Sequence, residues 1–237
     1  MIEPRRSEGE TGFGTPAPPG ASAAASKIAP TTLVHQRTLP VVEPLASLLP
    51  AGSLVRGQAV SCCGVAAPSL ALALAVEATA AGAWLAVVGM PWLGVEAAAE
   101  LGIPLQRLVR VDPGDSDWAD VTAAVLDGFE VVITPIPRRL RAAPLRRVQA
   151  RVKAREAVFV AVGDPSPLVA DVVIESSTPK WEGIEHGWGH LRGRRVTVEV
   201  SGRRVPRPRR ADVWLPAPGG GVSGASEEPA AVLRSVG

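Results

Sequence analysis

Six short runs built mainly from Val, Ile, Leu and Ala punctuate the middle of this chain, at residues 59–63, 84–88, 108–111, 130–134, 157–162 and 171–174. Most of them alternate with segments of helical pattern. A strand that is apolar on both faces has to be covered on both, and a parallel sheet with helices on each side meets that requirement. The expected class is therefore α/β, with a doubly wound, mostly parallel sheet. Helices are expected over 41–49, 69–81, 95–101, 118–126 and 144–155. Gly82, Gly102 and Gly128 stop three of them, Ser116-Asp117 caps the fourth, and Pro144 opens the fifth. The end of the chain changes character. Arg195–Val200 alternates apolar and polar residues and Ala211–Leu215 can pair with it, which predicts an antiparallel hairpin around a basic loop, residues 201–210.

With 237 residues and 46% hydrophobic content, the chain can bury one sizeable core. Residues 1–28 are rich in Gly, Pro, Ser and Ala and hold too little bulky apolar surface to offset ordering entropy, so a disordered tail is expected there. The composition returns from residue 218 to 237, leaving a domain over about 30–217. Cys62 and Cys63 are adjacent and form neither a disulfide framework nor a metal spacing. No signal-peptide pattern is found at the start. The uncharged stretch Ala59–Val76 is interrupted by Gly64, Pro68 and two serines, which argues against a membrane span. A cytoplasmic protein is expected.

The most informative local segment is Gln58-Ala-Val-Ser-Cys-Cys-Gly64-Val-Ala-Ala-Pro-Ser69, an apolar strand, a glycine turn and a helix start. That is the architecture of a phosphate-binding loop, which needs Gly-Lys-Ser/Thr so that backbone N–H groups and an ammonium surround the phosphates. There is no lysine between Lys27 and Lys153. Counting from Gly64 brings Ser69-Leu70-Ala71 to the signature positions; aligning on the helix brings Ala66, Ala67 and Pro68, and proline also removes a donor. The alternative is a plain βα turn. Two acidic positions fail as well. The loop after the second strand reads Gly89-Met90-Pro91 where a water-activating glutamate would stand, and the fourth strand runs into Thr134-Pro135 where an aspartate would hold Mg²⁺. No ATP hydrolysis, cofactor or catalytic residue is expected.

Basic residues gather in two places. Arg138 to Arg155 holds eight cations and no acid, with Arg147, Arg151 and Arg155 at i, i+4 and i+8 on one face and Leu145, Val148 and Val152 on another. Such a stripe repels itself, so phosphate backbone or an acidic partner would compensate it; a solvated face is the bland alternative. The second cluster is Arg192, Arg194 and Arg195 with Arg203, Arg204, Arg207, Arg209 and Arg210. All eleven of these stripe and hairpin arginines are candidates for DNA or partner contact, although aromatics for base stacking are sparse there. His186 and His190 lie with Glu182 and Glu185 on a glycine-rich stretch, read as a loop packed by Trp181 and Trp188. They supply too few ordered ligands for zinc, and no metal is expected.

The order of these pieces resembles RecA. Gly64–Leu74 is similar to its P-loop and helix, Trp84–Gly102 to the next strand and helix, and Glu130–Thr134 to its Walker B strand. More specific are Trp181-Glu-Gly-Ile, Gly189-His-Leu-Arg192, Arg194–Val200, Pro208-Arg-Arg210 and Val213-Trp-Leu-Pro216, which resemble the RecA-like accessory proteins ImuA and ImuA′. The resemblance covers about residues 40–217. It implies a RecA-like fold and a non-catalytic adaptor in damage-induced, error-prone translesion synthesis. The implied partners are an ImuB-like Y-family protein and, through it, a DnaE-type polymerase, with DNA as a further candidate. RecA's glycine-lysine-threonine falls on Ala66, Ala67 and Pro68, its glutamate on Met90 and its aspartate on Thr134. Two other readings stand beside this one: a weak nucleotide-dependent ATPase that borrows a cation such as Arg138 or Arg139 from a neighbour, and a SulA-like inhibitor of cell division.

Overall fold

The computed structural model describes residues 37–163, 168–185 and 188–225. It is a mixed α/β fold around a nine-stranded sheet. In chain order the elements are β1 (Thr38–Leu39), α1 (Glu43–Ala46), β2 (Leu54–Val55), β3 (Ala59–Gly64), α2 (Ala67–Ala80), β4 (Leu85–Val88) and α3 (Val95–Glu100). A 3-10 turn (Leu105–Arg107) follows, then β5 (Leu108–Val111), α4 (Trp118–Val125), β6 (Val131–Pro135), α5 (Ala142–Arg155) and β7 (Val158–Val162). The chain closes with β8 (Val172–Glu185), β9 (Trp188–Ser201), β10 (Arg209–Trp214) and β11 (Ser223–Gly224). The strand order is β11-β10-β9-β8-β3-β7-β6-β4-β5, and β1 pairs with β2 in a separate small sheet.

The strands from β8 through β5 are mutually parallel, as their apolar runs predict, and β9, β10 and β11 add antiparallel strands on one side. Side-chain alternation divides each central strand between two cores. Val60, Cys62, Leu85, Val87, Val131, Ile133, Val158 and Val160 face the layer that contains α1, α2 and α3. Ala59, Ala86, Val88, Val132, Phe159 and Ala161 face the layer of α4 and α5. Helix α2 is buried on nearly every side, from Leu70 through Val76, because Leu45, Leu48, Leu49 and Leu54 belong to the same core as its outer face. Each fully buried leucine there contributes about 2 kcal/mol by transfer from water.

The elements start and stop close to their predicted limits, with informative exceptions. The expected helix over 41–49 is a single turn, α1, with Pro44 in its first positions. Asp117 caps α4 as expected, its side chain accepting hydrogen bonds from Ala119 N and Asp120 N. The stretch from Trp181 to Gly189, read as a packed loop, is the end of one long hairpin instead. There β8 and β9 pair through Glu185↔Trp188, with irregularities near Thr178 and Gly183. A Cβ at Gly183 would lie 2.0 Å from the His190 carbonyl oxygen, so the glycine is what allows the strands to approach. His190 lies exposed on β9, whereas His186 and the 1–28 segment lie outside the described residues. The described fold also runs past residue 217: Gly221 N donates to Glu100 O at 2.7 Å, which caps α3, and β11 pairs with β10. Among the described residues, no helix is long and apolar enough to cross a membrane.

Candidate functional site

Parallel α/β sheets place ligands at the carboxyl ends of their strands, and the loop after β3 opens at that edge. Gly64 takes φ +85°, a conformation that suits glycine. Its neighbours are not available to a ligand. Val65 N donates to Ser176 O at 3.1 Å and Ala66 N to Ser176 Oγ at 2.8 Å, while Ser176 Oγ donates to Cys63 O at 3.1 Å. The serine comes from β8, which lies directly beside β3 with Gly64 opposite Ser176. A Cβ on Gly64 would stand 2.0 Å from the Ser176 carbonyl oxygen. Two of the amides that a phosphate would approach in such a loop are thus taken by a neighbouring strand.

A cation does reach this corner, from an unexpected direction. Arg194 of β9 donates to Ser69 Oγ at 2.9 Å and through Nε to Leu215 O at 2.9 Å, and its guanidinium lies 5.0 Å from the centre of the Trp181 ring. Burial lowers its pKa from the ordinary arginine value. Ser69 is the third residue of α2, after the buried Ala67 and the half-buried Pro68.

The two positions where acids would stand are both buried. Thr134 is fully buried; Trp118 Nε1 donates to its Oγ1 at 2.9 Å, and the hydroxyl donates to Pro135 O at 3.1 Å. Met90 is buried beside a shallow cavity of about 320 Å³ at the ends of β4 and β5, where Arg110 donates to Pro91 O at 2.9 Å. Cys62 is buried, and desolvation, assisted by Cys63, pushes its thiol well above the usual cysteine range. Among the described residues no group of three or more His, Cys, Asp or Glu side chains gathers for a metal ion.

The arginine stripe of α5 finds its counter-charge inside the chain. Arg151 and Arg155 both bond to Asp127, Arg155 Nε at 3.0 Å, and Arg147 lies 3.5 Å from Asp120. Both acids belong to α4 or the turn after it. The spacing that suggested an external anion is matched by an adjacent helix of the same domain. Arg151's hydrogen bond is the largest influence on Asp127 and lowers its carboxyl below the ordinary range; partial desolvation opposes this, and Arg155 adds to the lowering. A carboxyl whose folded pKa is depressed stabilises the fold above its unfolded pKa and loses that contribution as pH falls through the folded value. Thermal melts from about pH 5 to about pH 2 should therefore show wild type and Asp127→Asn converging at the acid end, with wild type the more stable at the upper end. Parallel curves would mean that the pairing contributes nothing.

Four of the eight hairpin arginines are also engaged, Arg194 among them. Arg203 and Arg204 each lie 3.4 Å from Asp171 Oδ1, and Arg209 donates to Ser47 O and Leu49 O at 3.3 and 3.0 Å. Arg192, Arg195, Arg207 and Arg210 form no ion pair among the described residues; all but the half-buried Arg195 are exposed. Ser176 and Asp171 carried no sequence signal. Each acts on a partner more than 100 residues away, which only the pairing of β8 with β3 brings close.

A family model described as the MT3502 N-terminal domain matches residues 47–167. The chain belongs to that family. An uncharacterized protein of Mycobacterium tuberculosis, Rv3395c, is similar to it, 34% identical over 145 residues that cover 58% of this chain and 71% of the relative. The MT3502 segment runs from β2 to just beyond β7 and contains the degenerate loop, Met90, Thr134 and the α5 stripe. Ser176 and Arg194, which fill the loop, lie beyond it.

Proposed function

We propose that this chain is a non-catalytic, RecA-like adaptor of the ImuA and ImuA′ kind, acting in the cytoplasm in damage-induced, error-prone translesion synthesis. It docks an ImuB-like Y-family protein and through it reaches a DnaE-type polymerase. The observation that carries the non-catalytic part is the occupancy of the loop: Ser176 takes the Val65 and Ala66 amides, and Thr134 spends its hydroxyl on Pro135. A loop so filled offers a triphosphate neither free donors nor a lysine. Supporting the RecA-like reading is the parallel core with the loop at the carboxyl end of a central strand. The adaptor role itself rests on the resemblance of the β8–β10 segments to ImuA proteins.

One observation favours the rival of a weak ATPase, since Arg194 places a guanidinium 2.9 Å from Ser69 Oγ, close to where a loop lysine would act. Calorimetric titration of the purified chain with magnesium-ATP separates the two. A flat titration is expected, and saturable heat that disappears in Arg194→Ala would favour the enzyme. For the partner, affinity purification from DNA-damaged cells should recover a Y-family-like protein and a polymerase subunit. Recovery of a filament-forming division protein with neither of these would favour the SulA-like reading.

A further inference from the structure

The opposite edge of the sheet, where the parallel strands begin, holds a cavity of about 280 Å³. It joins basic segments that are far apart in sequence. Lys153 and Gln149 reach it from the last turns of α5, Arg203 from the loop between β9 and β10, and Asp171 from the start of β8; Gly57, just before β3, lines it as well. Asp171 Oδ2 accepts the Ala59 amide at 3.1 Å, and Oδ1 lies 3.4 Å from both Arg203 and Arg204. The carboxylate is nearly buried, while the two arginine side chains are 66% and 56% exposed. Asp171 therefore holds two guanidiniums in place without using all their donors.

Lys153 has no acidic partner among the described residues. Lys153 and Arg203 line the cavity, and Arg204 shares the Asp171 carboxylate from beside it, so three cations stand against one carboxylate at this corner. Gly57, at φ +78°, lies against the end of α5, where a Cβ would stand 3.7 Å from Lys153 Cα. Its neighbour Arg56 has a buried Nε without a hydrogen-bond partner. A guanidinium fork and an ammonium in one cavity, with a second guanidinium beside it, suit a tetrahedral oxyanion with several acceptor oxygens better than a single carboxylate. At about 280 Å³ the cavity has room for one phosphate group and not for a drug-sized ligand.

We propose that this cavity is a phosphate-binding site, built by Lys153 and Arg203 around Asp171 with Arg204 alongside, and distinct from the degenerate loop at the other edge. Its ligand is either a free phosphate or the backbone phosphates of a nucleic acid. The site does not depend on the adaptor reading. It also relocates the anion-binding surface from the neutralised face of α5 to the carboxyl end of that helix.

Two probes distinguish the sources in the full-length chain: inorganic phosphate by calorimetry, and a labelled DNA duplex by fluorescence anisotropy at two salt concentrations. Lys153→Glu is the main variant, and Arg203→Gln is a second that adds no charge next to Asp171. Lys180→Glu, an exposed site on β8 past its last pair with β3, is the control. Thermal melts verify that each variant folds. Inorganic phosphate binding that falls about tenfold or more in Lys153→Glu and Arg203→Gln, but not in the control, supports a free-phosphate site. DNA binding that falls similarly, with a salt slope about one unit shallower in Lys153→Glu, supports the backbone source. Absence of binding to both probes, or equal weakening by the control, overturns the proposal.

Discussion

Replacing Gly64 with alanine is expected to lower the stability of the folded chain by at least about 3 kcal/mol, a fall in melting temperature of about 6 to 12 °C for a domain of this size. The side chain would meet the Ser176 carbonyl oxygen at 2.0 Å, and φ +85° is unfavourable to alanine even in open space. To accommodate it, β8 has to move off β3 at their last pair, and the hydrogen bonds from Val65 N and Ala66 N to Ser176 go with it. Gly82→Ala is the matched control. It has φ +102° but no atom within 4 Å of the added carbon, so it should lose only the conformational part, about 1 to 2 kcal/mol. Equal losses at the two positions would show that the approach of β8 plays no part, and would reopen the loop to a ligand.

Asp171→Ala should be nearly as damaging, at about 2 kcal/mol or more. It deletes the acceptor of the buried Ala59 amide and the one carboxylate between Arg203 and Arg204. Most of the effect comes from the amide, because both arginines are largely exposed and exposed ion pairs contribute little. Asp171→Asn keeps an acceptor oxygen and should recover a good part of the loss in urea unfolding. If the two variants were equally unstable, the ion pairs and not the amide would dominate.

Contacts between neighbours in the chain are legible in the sequence; contacts between distant segments are not. The parallel strands are legible because a strand covered on both faces carries apolar residues at successive positions; β4 and β7 do so without a break, and β3 and β6 with one small polar residue each, Ser61 and Thr134. Asp117 was legible as a helix cap, since its side chain bonds to amides two and three residues ahead. Long-range contacts left no such trace. The stripe of Arg147, Arg151 and Arg155 looks uncompensated along its own helix, and only the packing of α4 beside α5 brings in Asp120 and Asp127. The hairpin ends around Trp181 and Gly189 were misread because β8 and β9 gain regularity there from each other and not from side-chain alternation.

For the candidate site, the amino-acid sequence alone was enough to establish that the loop lacks a lysine and that Met90 and Thr134 stand where acids would. Side-chain chemistry is inherited directly from residue identity. Whether the loop is empty or filled was decided by tertiary structure, since a backbone amide has the same donor in every residue but proline and its partner depends on which strand lies alongside. Here that strand is β8, and Ser176 is the partner.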